Sequence, residues 1–205
     1  MPAARYLPAL LAMSTMALLA CAAPEKPAAP PPQIPRIVIP SSVTRTPVMA
    51  DRPIPDDCEL IVPASQVAQG IGQELPGKTR MIIGVPEPSL ARTAKADCYY
   101  GVPEDKSLPD AIVVVGLSTY ADEPTAKDRV TESLDAERAE GATITEIDVG
   151  KQKGTLVANS QEHLVIGSLG TSTFVVRAKN GVLPDDKIAS VLAGFAAQSM
   201  TVPIS

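Results

Sequence analysis

The chain holds few groups that could make or break covalent bonds, and their spacing speaks mostly by exclusion. A serine or cysteine nucleophile needs a base beside it, most often histidine. His163 is the single histidine in 205 residues, and it lies in the strand-like "EHLVIG", where such a side chain is more often exposed or hydrogen-bonded than catalytic. "GLSTY" from Gly116 approaches a GxSxG elbow but lacks the second glycine, and no helix follows it to form the strained turn. "GIGQEL" from Gly70 opens like a dinucleotide fingerprint, yet it lacks the third glycine and falls inside a predicted helix. Asp122, Glu123, Glu132, Asp135, Glu137 and Glu140 share one helical segment with Lys127, Arg129 and Arg138, the pattern of a solvated, salt-bridged face. "PDD" at Pro184 to Asp186 has no calcium-loop spacing and suits the start of a helix. The expectation is a chain with no catalytic residue, no metal site and no cofactor.

The cysteines carry more information. There are three, Cys21, Cys58 and Cys98, an odd number that calls for an explanation in an exported protein. Cys21 directly follows an apolar segment, "LPALLAMSTMALLA" from Leu7 to Ala20, with Arg5 ahead of it. About 14 residues is the length of a signal-peptide core and short of the roughly 20 that a membrane-spanning helix needs. Leu18-Leu19-Ala20-Cys21 resembles the lipobox of bacterial lipoproteins, with Leu18 and Ala20 at the two positions the processing peptidase reads. That resemblance implies a thiol on Cys21 carrying acyl chains such as palmitate, and anchorage to the outer face of the cell membrane. Cleavage at the small-x-small Ala20-Cys21-Ala22 and an uncleaved anchor are the competing readings. Since each buried acyl methylene contributes about 0.8 kcal/mol, two or three chains on one cysteine hold a protein without any basic patch.

Downstream of Cys21 the composition changes twice. Ten prolines fall between Ala22 and Pro55, so residues 21–56 are read as a lipidated cysteine followed by a semi-rigid spacer, with plain disorder as the alternative. Residues 57–205 are read as one globular domain, preceded by a signal peptide over 1–20. Setting Cys21 aside leaves Cys58 and Cys98, which an oxidising exterior would pair; two free thiols, or a metal site with no CxxC behind it, are the alternatives. The net charge of -5 opposes nucleic acid and anionic lipid as partners. With aromatics at 3% and no tryptophan, the core must be built from Val, Ile, Leu and Ala.

The elements of that domain follow from hydrophobic period. "PASQVAQGIGQEL" places Val67, Ile71 and Leu75 on one helical face; "TRMIIGV", "DCYYGV" and "DAIVVVGLSTY" read as strands, the last as a central one. "DEPTAKDRVTESLDAERAEG" reads as a helix with Val130 and Leu134 on its buried stripe and Gly141 as its stop. "ATITEIDVG", "GTLVANS", "EHLVIGSLG" and "STFVVRAKN" predict a four-stranded antiparallel meander, and a last helix buries Ile188, Val191, Leu192 and Phe195. The fold class predicted is α+β, an antiparallel sheet with about three helices packed mainly on one face.

"DDCELIVPASQVAQGIG", followed forty residues on by "ADCYYGV", is similar to a group of actinobacterial, mycobacterial-type envelope lipoproteins that form a domain of unknown function. The resemblance implies that Cys58 and Cys98 are paired, and that Tyr99 or Tyr100 fills an aromatic position beside them. Neighbouring strand residues point to opposite faces, so one tyrosine should pack inward and the other be presented; both are candidates for contact with a partner or ligand. The function expected is a non-enzymatic, lipid-anchored binding module of the envelope that takes a protein partner in preference to a small apolar ligand. A hydrolase of envelope glycans, peptides or esters, and a structural or assembly accessory, are the other readings.

Overall fold

Central strand segments carry unbroken apolar runs, Val113 to Val115 and Leu164 to Ile166, whereas the outer ones mix apolar and polar residues, so the middle of the sheet needs cover on both faces. The computed structural model describes residues 48–202; the expectations for the signal segment, for Cys21 and for the early spacer lie outside them. Its elements are α1 (Ala64–Ile71), β1 (Lys78–Gly84), β2 (Arg92–Val102), β3 (Val113–Tyr120), α2 (Glu123–Ala139), β4 (Thr143–Val149), β5 (Gln152–Ala158), β6 (Glu162–Leu169), β7 (Ser172–Lys179) and α3 (Asp185–Ser199). The strands form one seven-stranded sheet in the order β1-β2-β3-β7-β6-β5-β4. Every neighbouring pair is antiparallel, which is the α+β class and the C-terminal meander read from the sequence.

The larger core lies between the sheet and the pair α1 and α3. Ala96, Cys98 and Tyr100 of β2, Val113, Val115 and Leu117 of β3, and Phe174 and Val176 of β7 meet Val67, Ile71, Ile188, Leu192 and Phe195 there. The first helix is shorter than its apolar period suggests. Gly72 adopts a left-handed conformation (φ 73°) and caps it, its N–H donating to the carbonyls of Ala68 and Gln69, so Leu75 leaves the helix yet still packs on the core. Gly70 is required for a different reason: a Cβ there would sit 2.5 Å from Cζ of Phe195, so α1 and α3 could not approach this closely.

The third helix lies on the opposite face. Val130 and Leu134 of α2 pack on Val157, Leu164 and Ile166, which alternate with the α3-facing residues along β5 and β6. Two helices therefore share one face and α2 holds the other alone. Asp122 caps α2 by accepting from the Thr125 N–H at 2.8 Å, and the charged side chains pair along its exposed surface, Glu123 with Lys127 and Asp135 with Arg138, as their spacing predicted.

Among the described residues, the chain ahead of Asp57 also engages the body of the domain. Ala50 N–H donates to Met200 O at 2.9 Å, and Met49 bridges to Thr201. Arg52 donates to Thr201 O at 2.7 Å, while Asp51 accepts from Thr171 N–H at 2.8 Å and from the hydroxyls of Thr171 and Ser172. Two residues of low hydrophobicity thus tie the entering strand of chain to the β6–β7 turn and the end of α3. Burial alone would raise the Asp51 carboxyl, but the hydrogen bonds from Ser172 and Thr171 outweigh it and hold the group below the ordinary carboxylate range. A depressed folded value stabilises the fold above the unfolded value, near 3.9, and that contribution is lost as pH falls through the folded value. Asp51→Ala is expected to lower stability at neutral pH by about 1 kcal/mol. In urea titrations the gap to the parent protein should close on acidification below about pH 4; a gap that is constant with pH would contradict the assignment.

Candidate functional site

Cys58 enters the domain in a 3-10 turn, Cys58–Leu60, whose cap Asp57 accepts from the Glu59 N–H at 3.0 Å. Cys98 lies at the centre of β2, opposite Met81 and Val115, on the α1 side of the sheet. The two form a disulfide with Cα atoms 5.7 Å apart across 40 residues of sequence. Tyr100, two residues on and on the same face, is fully buried; its hydroxyl donates to Val62 O at 2.7 Å, with Cys58 O a further 3.4 Å contact. Burial, with Glu59 nearby, pushes its phenol well above the ordinary range, so it remains a proton donor to those carbonyls. The reading of Tyr100 as a contact residue is thereby corrected: with its ring enclosed and its hydroxyl engaged, it joins the disulfide in fixing the approach to α1 onto β2.

Tyr99 points the other way. It shares its face with Lys95 and Asp97 on β2, with Val114 and Gly116 on β3, and with Val175 and Arg177 on β7, as the register places Tyr99 beside Val114 and Val114 beside Arg177. On this face α2 crosses β6 and β7 and reaches β3, but it leaves the neighbouring stretch of sheet uncovered. The result is an open groove of about 740 Å³. The 3-10 turn Leu108–Asp110 and Ile112 line one side, the β5–β6 turn with Gln161 and Glu162 another, and the groove runs on under Arg129 and Ser133 of α2.

Its floor is charged. Lys95 Nζ pairs with Asp97 at 2.8 Å, and Arg177 pairs with Glu162 at 3.4 Å. At the α2 end Arg92 pairs with Glu87 and Arg129 with Glu132. Lys179 completes the cationic set. Gly116 forms the centre of the floor, where an added Cβ would come within 2.7 Å of Asp97 Oδ1, so the absence of a side chain lets the carboxylate lie over the strand. Leu108, Pro109, Ile112 and Tyr99 supply apolar surface at the opposite end. Such a floor can exchange its ion pairs for those of a ligand, and burying it under hydrocarbon would strand several charges.

The remaining candidates do not assemble. Ser118 of "GLSTY" faces the groove side beside Thr173, whereas His163 pairs with Ala178 and so faces α3. A serine and a histidine on opposite faces of one sheet cannot share a proton, which removes the nucleophile and base suggested by residue type. Among the described residues no cluster of three His, Cys, Asp or Glu side chains could hold a metal ion, and no helix is long and apolar enough to cross a membrane. Cys21 lies outside the described residues. The groove cations were missed in the sequence, although one signal for them was there: Lys95, Asp97 and Tyr99, like Arg177 and Lys179, occupy every second position of otherwise apolar strands.

No protein-family profile matches the chain, and no curated protein sequence does. Among solved structures, the extracellular domain of PknH from Mycobacterium tuberculosis is similar to it with a TM-score of 0.44 and 12% sequence identity, over 72% of this chain and 97% of that domain.

Two substitutions should separate the tyrosines. Tyr100→Phe removes a buried donor from two carbonyls and is expected to cost about 1 kcal/mol of stability, while Tyr99→Ala should leave thermal unfolding nearly unchanged. Reduction of the disulfide, or Cys98→Ala, should cost about 2 to 5 kcal/mol. Thiol titration of the unfolded, non-reduced protein checks the pairing; two free thiols from Cys58 and Cys98 would contradict it.

Proposed function

We propose that the chain is a non-enzymatic, extracytoplasmic binding module, anchored to the outer face of the membrane by lipid on Cys21, whose groove receives a segment of a partner protein. The observation that carries this reading is the uncovered stretch of sheet face with a charged floor. A sheet face normally carries a helix or faces water as a polar surface; this one is concave, walled on several sides and mixed in character. Hydrogen-bonding and ionic groups at the floor, with Tyr99, Ile112 and Leu108 at one end, match the alternating chemistry of a polypeptide better than that of a lipid tail. The lipobox resemblance and the proline-rich segment after it supply the anchor and the reach.

Two measurements test it. Metabolic labelling with an alkyne fatty acid should mark the full chain and fail to mark Cys21→Ala. A photo-crosslinking residue at Leu108, on the groove wall, should capture a discrete envelope protein, and one at Ser190 on α3 should not. Lys95→Glu with Arg177→Glu should reduce capture by at least about tenfold, near 1.4 kcal/mol, without changing the unfolding midpoint by more than a few degrees. Equal capture from both positions, or recovery of acyl chains alone from the groove, would overturn the protein-partner reading.

A further inference from the structure

The two outer strands of the sheet are built differently. On β4, Glu146 and Asp148 both pair with Lys153 of β5, at 3.3 and 2.8 Å, so that edge is charged, a common device against strand addition. The first half of β1 is protected in a similar way by Lys78, Arg80 and a break in register between them. The second half is not. Ile82 is 44% exposed, Ile83 63% and Val85, just past the strand, 79%. The 3-10 turn that packs against β1 adds Leu60, 48% exposed. These are four of the six exposed large apolar side chains among the described residues. Their arrangement matters as much as their number. Ile82 is opposite Asp97 and so lies on the groove face, while Ile83 is opposite Ala96 on the α1 face. Among the described residues this half of β1 is apolar on both faces and open at one edge, the pattern of an interior strand lacking its neighbour.

We propose that β1 pairs antiparallel with β1 of a second copy of this chain, about a two-fold axis at Ile82, so that the sheet runs on through the dimer. Self-pairing is favoured by what this register brings together. Ile82 meets its own copy, Met81 meets Ile83, and Thr79 meets Val85. Arg80 of each copy faces Gly84 of the other, the one residue of the strand without a side chain, and the two sets of cations lie at opposite ends of the ribbon. Moving the axis to Arg80 would set arginine against arginine, and like charges directly opposite one another destabilise a ladder. The surface is thus self-complementary, as an isologous contact requires. This inference stands apart from the groove, to whose lining β1 contributes no residue.

The test uses the full chain in detergent solution. Sedimentation equilibrium should show a reversible dimer at concentrations up to about 100 μM, and Ile82→Lys and Ile83→Lys should each weaken it by about tenfold or more. Both positions are exposed, so both variants should keep their unfolding midpoints. Under mild oxidation Ile82→Cys should give a disulfide-linked dimer that neither the parent chain nor Ser160→Cys, at an exposed turn, produces. A monomer throughout that range would overturn the proposal, whether the edge is free or taken by another segment. So would a dimer indifferent to both lysine substitutions, or one that Ile82→Cys fails to trap.

Discussion

The architecture depends on the pairing of β3 with β7. Val113 to Thr119 run antiparallel to Ser172 to Ala178 in unbroken register, and this ladder joins the strands β1 to β3 to the meander β4 to β7. All the other strand pairs link neighbours in sequence. This one closes a long stretch of chain that includes α2 and three strands, so its closure entropy must be overcome before its contacts form. The ladder is well supplied with apolar contacts to do so. On the α3 face it sets Val113, Val115 and Leu117 beside Phe174, Val176 and Ala178, and on the other it sets Val114, Gly116 and Ser118 beside Thr173, Val175 and Arg177. The first set is core and the second is the floor of the groove, so one pairing produces both.

That duality explains what the sequence disclosed. The strands, the meander and the helix α2 were legible because local period and turn residues settle them. The paired cysteines were legible through the short motifs around Cys58 and Cys98. The groove was not, because it needs Tyr99, Val114 and Arg177 to be side by side, and only the long-range register does that. Nor could periodicity alone place α2. Its apolar stripe is narrow, Ala126, Val130 and Leu134 among many charges, which suffices to cover part of one face but not to compete with α1 and α3 for the other. Gly70, a residue that weakens an isolated helix, is the point where two helices come close.

Asymmetry between the two faces follows from side-chain size. The α3 face is filled by Phe174, Tyr100 and branched aliphatics, and Gly167 on β6 leaves room for the Phe174 ring. The groove face carries long charged side chains whose stems can lie along the sheet while their ends pair. A covered core and an accessible charged hollow are thereby made from alternate residues of the same strands.

The clamp at Asp51 and Arg52 and the disulfide seven residues beyond Asp51 have a mechanical consequence under the N-terminal anchorage proposed above. Tension entering at residue 48 loads the contacts of Met49 and Ala50 with Thr201 and Met200 and then the hydrogen bonds of Asp51 and Arg52, which can peel one after another. Beyond them it reaches Cys58, where the pull passes through a covalent bond into the middle of β2, a strand held by ladders on both sides. Extension from that end therefore stops after about ten residues, roughly 35 Å of chain, with the sheet and its groove still intact.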